Sequence, residues 1–234
     1  MYVFDAIMSR RSIYKFEKTP VDDRLIGVIL YMGTQAPSAG NIQEWKFVVV
    51  REEKRKKELA KAALTQNFIA DAPVVIVVCA DLARVSLKYG KRGEVLYAAQ
   101  DTALAIGNMM LAAQGLGLGS CFVGSFEEDT VSRIVELPDN IRPMAIILVG
   151  YPAEKPESPG RLPFENISFA EAYDKKIKLA NFQPGAKVGE SFFEPLSVYL
   201  EEAFKKVLQQ REKEATKEKK KRLSFEEFLR KMVE

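Results

Sequence analysis

Residues 73–80 read Pro-Val-Val-Ile-Val-Val-Cys-Ala, a continuous run of β-branched and small apolar side chains with no polar face. A short apolar run without alternation is a strand covered on both sides. What covers it is read from the flanks. Before it, Lys46 to Arg51 (Lys-Phe-Val-Val-Val-Arg) is a second strand, and Glu52 to Gln66 is a charged helix carrying Leu59, Ala62 and Ala63 on one face. After it, Glu94 to Leu116 is the longest helical pattern, apolar around most of its circumference and rich in small residues: Ala98, Ala99, Ala103, Ala105, Gly107, Ala112 and Ala113. Small residues on every side let other backbones approach, so this helix is expected to be a buried spine. Gly115, Gly117 and Gly119 stop it. Ser120 to Val123 is a strand, Glu127 to Val135 a helix and Arg142 to Val149 a strand. Nearer the start, Phe4 to Ser9 reads as a short helix. Asp22-Asp23 opens another, with Leu25, Ile26, Ile29 and Leu30 at helical spacing and an end near Gln35. The whole is an α+β pattern around one sheet. Tyr151 to Pro163 is proline-rich and leaves the body as an extended arm.

Composition narrows the chemistry. The chain has 234 residues, 47% of them hydrophobic, enough for one sizeable core. There is no histidine, which excludes Ser-His-Asp and Cys-His catalysis and removes the commonest transition-metal ligand. No carboxylate cluster stands at ligand spacing, so no metal is expected. Cys79 and Cys121 lie in apolar runs and read as buried free thiols of a reducing compartment, the cytoplasm. Met1 leads to Asp5 without a long apolar run, so no secretory leader is expected. Thr102 to Leu118 is too short and too interrupted to span a membrane. Residues 1–200 hold 24 basic and 24 acidic side chains, and residues 201–234 hold 11 and 8, so the net charge of +3 lies in the tail. A neutral body argues against nucleic acid as a partner. Either an organic cofactor carries the chemistry or the chain is no enzyme.

Two short motifs point to such a cofactor. Arg10-Arg11-Ser12 puts two guanidinium forks and a hydroxyl at one turn, a match for phosphate oxygens. Pro37-Ser38-Ala39-Gly40-Asn41, followed by Gln43 and Trp45, is a small-residue loop with amides and a hydroxyl, able to lie against a planar heterocycle and bond its edge. A phosphate grip with an amide ledge suits a phosphorylated ring.

In this order the two motifs resemble the FMN-binding elements of the nitroreductase family. The resemblance extends over about residues 1 to 170. It includes Asp71-Ala72-Pro73, Ala99-Gln100-Asp101-Thr102-Ala103, Asn108 to Ala113, Gly115-Leu116-Gly117 through Phe122-Val123-Gly124, and Gly160-Arg161-Leu162-Pro163. It implies a three-layer α+β sandwich with a central mixed, mainly antiparallel sheet flanked by helices, dimerising through long helices with FMN at the interface. By matching position, Arg10, Arg11, Ser12 and Arg161 would hold the phosphate or ribityl chain. Ser38, Ala39 and Asn41 would reach the flavin from the other subunit, and Pro37 and Gln43 of the same loop would also be cofactor-binding. Gln66 or Asn67 would put an amide against the ring, and Val123 with the Gly124 backbone N–H would face the ring nitrogen that accepts hydride. Tyr14 stands where many members carry a basic residue, with Lys15 one place later, and Pro159 replaces a second basic residue of the late segment.

The resemblance implies an oxidoreductase that passes electrons from NAD(P)H through FMN to a nitroaromatic, quinone or flavin acceptor in ping-pong fashion, with no catalytic side chain of its own. Other reactions of the fold are dehalogenation, ring dehydrogenation and flavin fragmentation. These would need a lid; Leu82 to Gly93, with Arg84, Lys88, Tyr89, Lys91 and Arg92, reads either as such a lid or as a solvated loop. A further alternative is a binding protein driven by its basic tail. Residues 1–180 are read as the FMN-binding domain and 181–234 as a helical charged extension, with apolar faces at Leu196 to Leu208 and Leu223 to Val233.

Overall fold

The computed structural model describes residues 3–177. The C-terminal extension expected over 181–234 lies outside the described residues. The chain divides into two compact units, Met1–Glu157 and Ser158–Glu234.

The first unit holds a four-stranded sheet in the order β1-β2-β4-β3, with β1 Trp45–Val50, β2 Val74–Asp81, β3 Gly119–Val123 and β4 Ile141–Gly150. All its neighbouring strands pair antiparallel. A parallel element is the isolated bridge Ser12↔Ser120, which lays the Arg10–Ser12 segment beside β3. In the β2–β4 ladder the register slips between Val78 and Cys79, where Pro143 stands opposite Cys79. Proline has no N–H to give the ladder, so an irregularity there is where it can be accommodated.

The central strand sorts its side chains by the two-residue period of extended backbone. Val74, Ile76 and Val78 face one layer with Ala145, Ile147 and Val149 of β4. Val75, Val77 and Cys79 face the other with Ile146 and Leu148. Helices α2 (Asp23–Thr34) and α6 (Ala98–Gly115) cover the first face through Ile26, Ile29, Ile106 and Met109. Helices α3 (Glu53–Ala62), α4 (Phe68–Asp71) and α7 (Glu128–Ile134) cover the second through Leu59, Ile69 and Val131. This is the three-layer sandwich. Each buried valine or isoleucine contributes ~1.5–3 kcal/mol to it.

Gly33 lets α2 approach α6: a Cβ there would lie 2.8 Å from Cγ of Met109. Asp22 caps α2, accepting from the Arg24 amide at 2.8 Å. Short α1 (Val3–Ser9) also packs on α6, with Gln114 donating to the Ser9 hydroxyl at 3.0 Å.

Two expectations need correction. The helix read over 94–116 does not begin at Glu94. A separate helix α5 (Leu82–Arg92) precedes it, joined by a π-helical turn over Gly93–Tyr97. The candidate lid is therefore regular structure: Asp81 caps α5 by accepting from the Arg84 amide at 3.1 Å. Nor is α6 buried on every side. Ala98, Asp101, Thr102, Ala105, Ile106, Met109 and Ala113 are buried, whereas Ala99, Ala103, Leu104 and Gly107 are exposed. One chain covers only the face turned to the sheet.

In the second unit, a 3-10 turn spans Phe164–Asn166 and the ring of Phe169 lies 4.7 Å from that of Tyr173.

Candidate functional site

Three separated segments converge at β3. Arg10 and Arg11 follow directly on α1, and the Arg10 amide still donates to Ala6 O at 3.0 Å. The Ile13 amide then donates to Ser120 O at 3.0 Å, holding Ser12 against the start of β3. One step on, the Tyr14 ring meets Phe68 edge-on at 5.0 Å, bringing in the α3–α4 turn that carries Gln66 and Asn67. Gln66 closes the set: its amide donates to Ala63 O at 2.8 Å and to Ser125 O at 3.3 Å, next to Gly124 at the end of β3. Arg10, Ser12, Gln66, Asn67, Val123 and Gly124 thus come from chain positions over a hundred residues apart to one neighbourhood. Gly124 and Asn67 are exposed there, and Val123 is buried beneath.

The two arginines differ. Arg11 turns back on its own backbone, donating through Nη1 to Met8 O at 2.8 Å and Arg10 O at 2.9 Å. Its Nε is buried and has no acceptor, a donor of the kind that an anionic ligand satisfies. Arg10 acts electrostatically on Cys121, and so does the Tyr14 hydroxyl as a hydrogen-bond partner. Burial outweighs both and pushes the Cys121 thiol up to about 11; burial alone pushes Cys79 to about 12. Neither thiol is a nucleophile near neutral pH. Among the described residues no cluster of His, Cys, Asp or Glu could hold a metal.

The Pro37–Gln43 loop is anchored on a different pair of elements. Its turn needs left-handed backbone at Gly40, Asn41 and Gln43 (φ +55°, +57° and +55°). Ser38 Oγ accepts the Gln43 amide at 3.0 Å, and the Gln43 side chain donates to Asn41 Oδ1 at 2.9 Å. Ala39 N–H donates to Asp101 Oδ2 on α6 at 2.8 Å. Asp101, on the buried side of α6, is a structural hydrogen-bonder. Pro37 is exposed at the loop's start and Trp45 buried at its end.

Sequence reasoning passed over Glu44. It is fully buried, at 0% exposure, and both carboxyl oxygens lack a hydrogen-bond partner. Burial first, and the nearby Asp101 carboxyl after it, push the Glu44 pKa up to about 7, opposed by its own backbone N–H and by Arg84. Its only signal in the sequence was a carboxylate placed between the loop and a buried tryptophan.

Arg161 belongs to the second unit, where its guanidinium donates to Pro159 O at 3.2 Å and Gly160 O at 3.1 Å.

The residues present suit a phosphorylated planar cofactor. A cation, a hydroxyl and an unsatisfied guanidinium N–H lie at one end, and neutral amides at the other. Among these residues no side chain is set up as an acid or base.

Comparison with known proteins agrees. The model of the Nitroreductase family matches residues 7–70 and 56–151. An NADH dehydrogenase of Thermus thermophilus is 31% identical over 189 residues, 69% of this chain and 92% of its own length. An FMN reductase [NAD(P)H] of Bacillus subtilis is 28% identical over 192 residues, 76% of this chain and 77% of its own. The crystal structure of the NADPH:FMN oxidoreductase of Vibrio harveyi, complexed with NAD+, superposes with a TM-score of 0.69 at 27% identity, over 74% of this chain and 78% of that one.

Proposed function

The chain belongs to the nitroreductase family, and on that premise we propose that it is an FMN-dependent oxidoreductase that draws on NAD(P)H and serves a small-molecule acceptor: a nitroaromatic, a quinone or another flavin. The observation that carries this reading is the meeting of Arg10–Ser12, Gln66–Asn67 and Val123–Gly124 along β3.

Bound FMN supplies the electron chemistry, taking hydride equivalents from the nicotinamide and yielding them to the acceptor. The protein's part is to hold and polarise. Arg10 and Ser12 grip the phosphate end, with the Arg11 Nε donor beside them. Gln66 or Asn67 would hold the ring edge, and the Gly124 backbone N–H would be the donor offered to the reduced ring. If donor and acceptor occupied this one site in turn, ping-pong kinetics would follow.

The working unit is a homodimer, in which Ser38, Ala39, Asn41 and Gln43 of one subunit complete the site of the other. The open apolar face of α1 and α6 supports this: Phe4 is 51% exposed, Ile7 50% and Leu104 47%. The FMN-binding domain is taken as residues 1–180, and the buried free thiols suit the cytoplasm. Among the described residues no helix is long and apolar enough to cross a membrane.

The test is an absorbance spectrum of the purified protein, followed by heat release and identification of the flavin. FMN that bleaches anaerobically on NAD(P)H addition and recovers with a nitroaromatic is the expected result. A protein that takes up no flavin on reconstitution sinks the proposal.

A further inference from the structure

Helix α5 carries four cations, and they are not equivalent. Lys91 is ion-paired, with Nζ 2.9 Å from Glu94. Arg84, Lys88 and Arg92 have no ion-pair partner among the described residues, and all three are exposed. Two of the three are held by aromatic rings instead. Lys88 Nζ stands 5.4 Å from the Tyr89 ring centre, and Arg92 lies 5.5 Å from that of Tyr97, to whose hydroxyl its Nε donates at 3.0 Å. The two tyrosines meet edge-to-face at 5.0 Å. A ring positions a cation without cancelling its charge.

This cluster touches the loop assigned to the flavin. A Cβ on Gly40 would collide with both the Lys88 ammonium and the Tyr89 hydroxyl. Ile42, two residues on, packs in one apolar cluster with Tyr89 and Tyr97. An uncompensated ammonium therefore stands directly over the backbone that carries Ser38, Asn41 and Gln43, with a flat aromatic wall beside it.

We propose that Lys88, backed by Tyr89, is a subsite for an anionic group, phosphate or carboxylate, on the planar substrate that enters at this loop. The proposal rests on the flavoenzyme reading above and names a substrate class for it. A compact ammonium point charge suits a terminal anion. The anion belongs either to the nicotinamide donor, as its phosphates, or to the acceptor, as a carboxylate.

The experiment compares charged and uncharged probes on the FMN-loaded protein. For the acceptor, dissociation constants of 4-nitrobenzoate and nitrobenzene are read from perturbation of the flavin absorbance. For the donor, KM values of NADH and of the phosphate-free 1-benzyl-1,4-dihydronicotinamide are compared. Lys88→Ala should worsen the charged-to-neutral ratio in at least one pair by about twofold to fivefold, the scale of an exposed charge contact. Lys88→Glu should worsen it further, added salt should shrink the effect, and Lys91→Ala should leave both ratios alone. The pair that moves names the source of the anion. Ratios unmoved in Lys88→Glu, with FMN still bound, overturn this proposal and leave the flavoenzyme reading standing. A wild-type protein that takes up no FMN overturns that reading and this one with it.

Discussion

The Asp101 carboxylate accepts a hydrogen bond from the Ala39 amide at 2.8 Å, so the longest helix among the described residues holds a loop 62 residues away by a single charge-assisted bond. Asp101 is buried and Ala39 half-buried, where an unmet amide is costly. Asp101→Ala should destabilise the protein by about 1–3 kcal/mol in urea unfolding and loosen the loop. Asp101→Asn keeps an acceptor oxygen and should cost less. If the loop completes the partner's site, Asp101→Ala also lowers FMN affinity, read by flavin titration. Equal stability of Asp101→Ala and wild type would show that the bond holds nothing.

Glu44 gives that anchor a pH dependence. Its pKa is raised from 4.5 to about 7, chiefly by burial and then by Asp101, with Arg84 opposing. The folded state therefore holds the proton more tightly than the unfolded chain. Between about pH 4.5 and 7 the folded state binds more protons, so stability falls as pH rises through that window and levels off above it. At about 1.4 kcal/mol per unit, the loss is at most about 3–4 kcal/mol. Glu44→Gln, which stays neutral, should flatten the profile between pH 5 and 8. A slope that survives in Glu44→Gln would place the titrating group elsewhere.

The two neighbouring arginines should separate. Arg10→Ala should weaken FMN by roughly 10- to 100-fold, the value of a charge-assisted contact, with little change in unfolding. Arg11 bonds the carbonyls of Met8 and Arg10. Arg11→Ala should therefore cost stability, about 1 kcal/mol, with a smaller loss of FMN. Fluorescence titration with FMN and thermal melts of the two apoproteins distinguish these outcomes.

Much of this fold was legible because its signals are local. Residues 73–80 name their own burial, and Asp22 names the start of α2. The break between α5 and α6 was not legible. It hangs on Gly90 at φ +53°, ψ −145° and a π-helical turn, and helical periodicity registers neither. Asp81, the cap of α5, was the one local cue. At the site, Arg10, Ser12 and the Pro37–Asn41 loop could be picked out by residue type. Their geometry could not, because Ser12 meets Ser120, and Gln66 meets Ser125, across long sequence distances. Glu44 was missed because its burial comes from tertiary packing alone.

The exposed apolar face is the last test, and it bears on whether one chain suffices. Val3, Phe4 and Ile7 of α1 and Leu104 of α6 are each about half or more exposed, and Ala99, Ala103 and Gly107 beside Leu104 would let another helix come close. A second copy of the chain is the proposed cover, and an obligate interface of this kind buries ~2,000 Å² or more. A charge at its centre should break it while leaving the sheet and core intact, since Leu104 makes no part of either cluster. Leu104→Glu is expected to sediment as a monomer, to keep its far-ultraviolet circular dichroism, and to lose FMN by at least tenfold, because the Ser38–Gln43 loop would no longer reach a partner's flavin. A Leu104→Glu protein that stays dimeric would put the interface elsewhere. A monomeric one that retains full FMN affinity would show that the loop does not act across subunits.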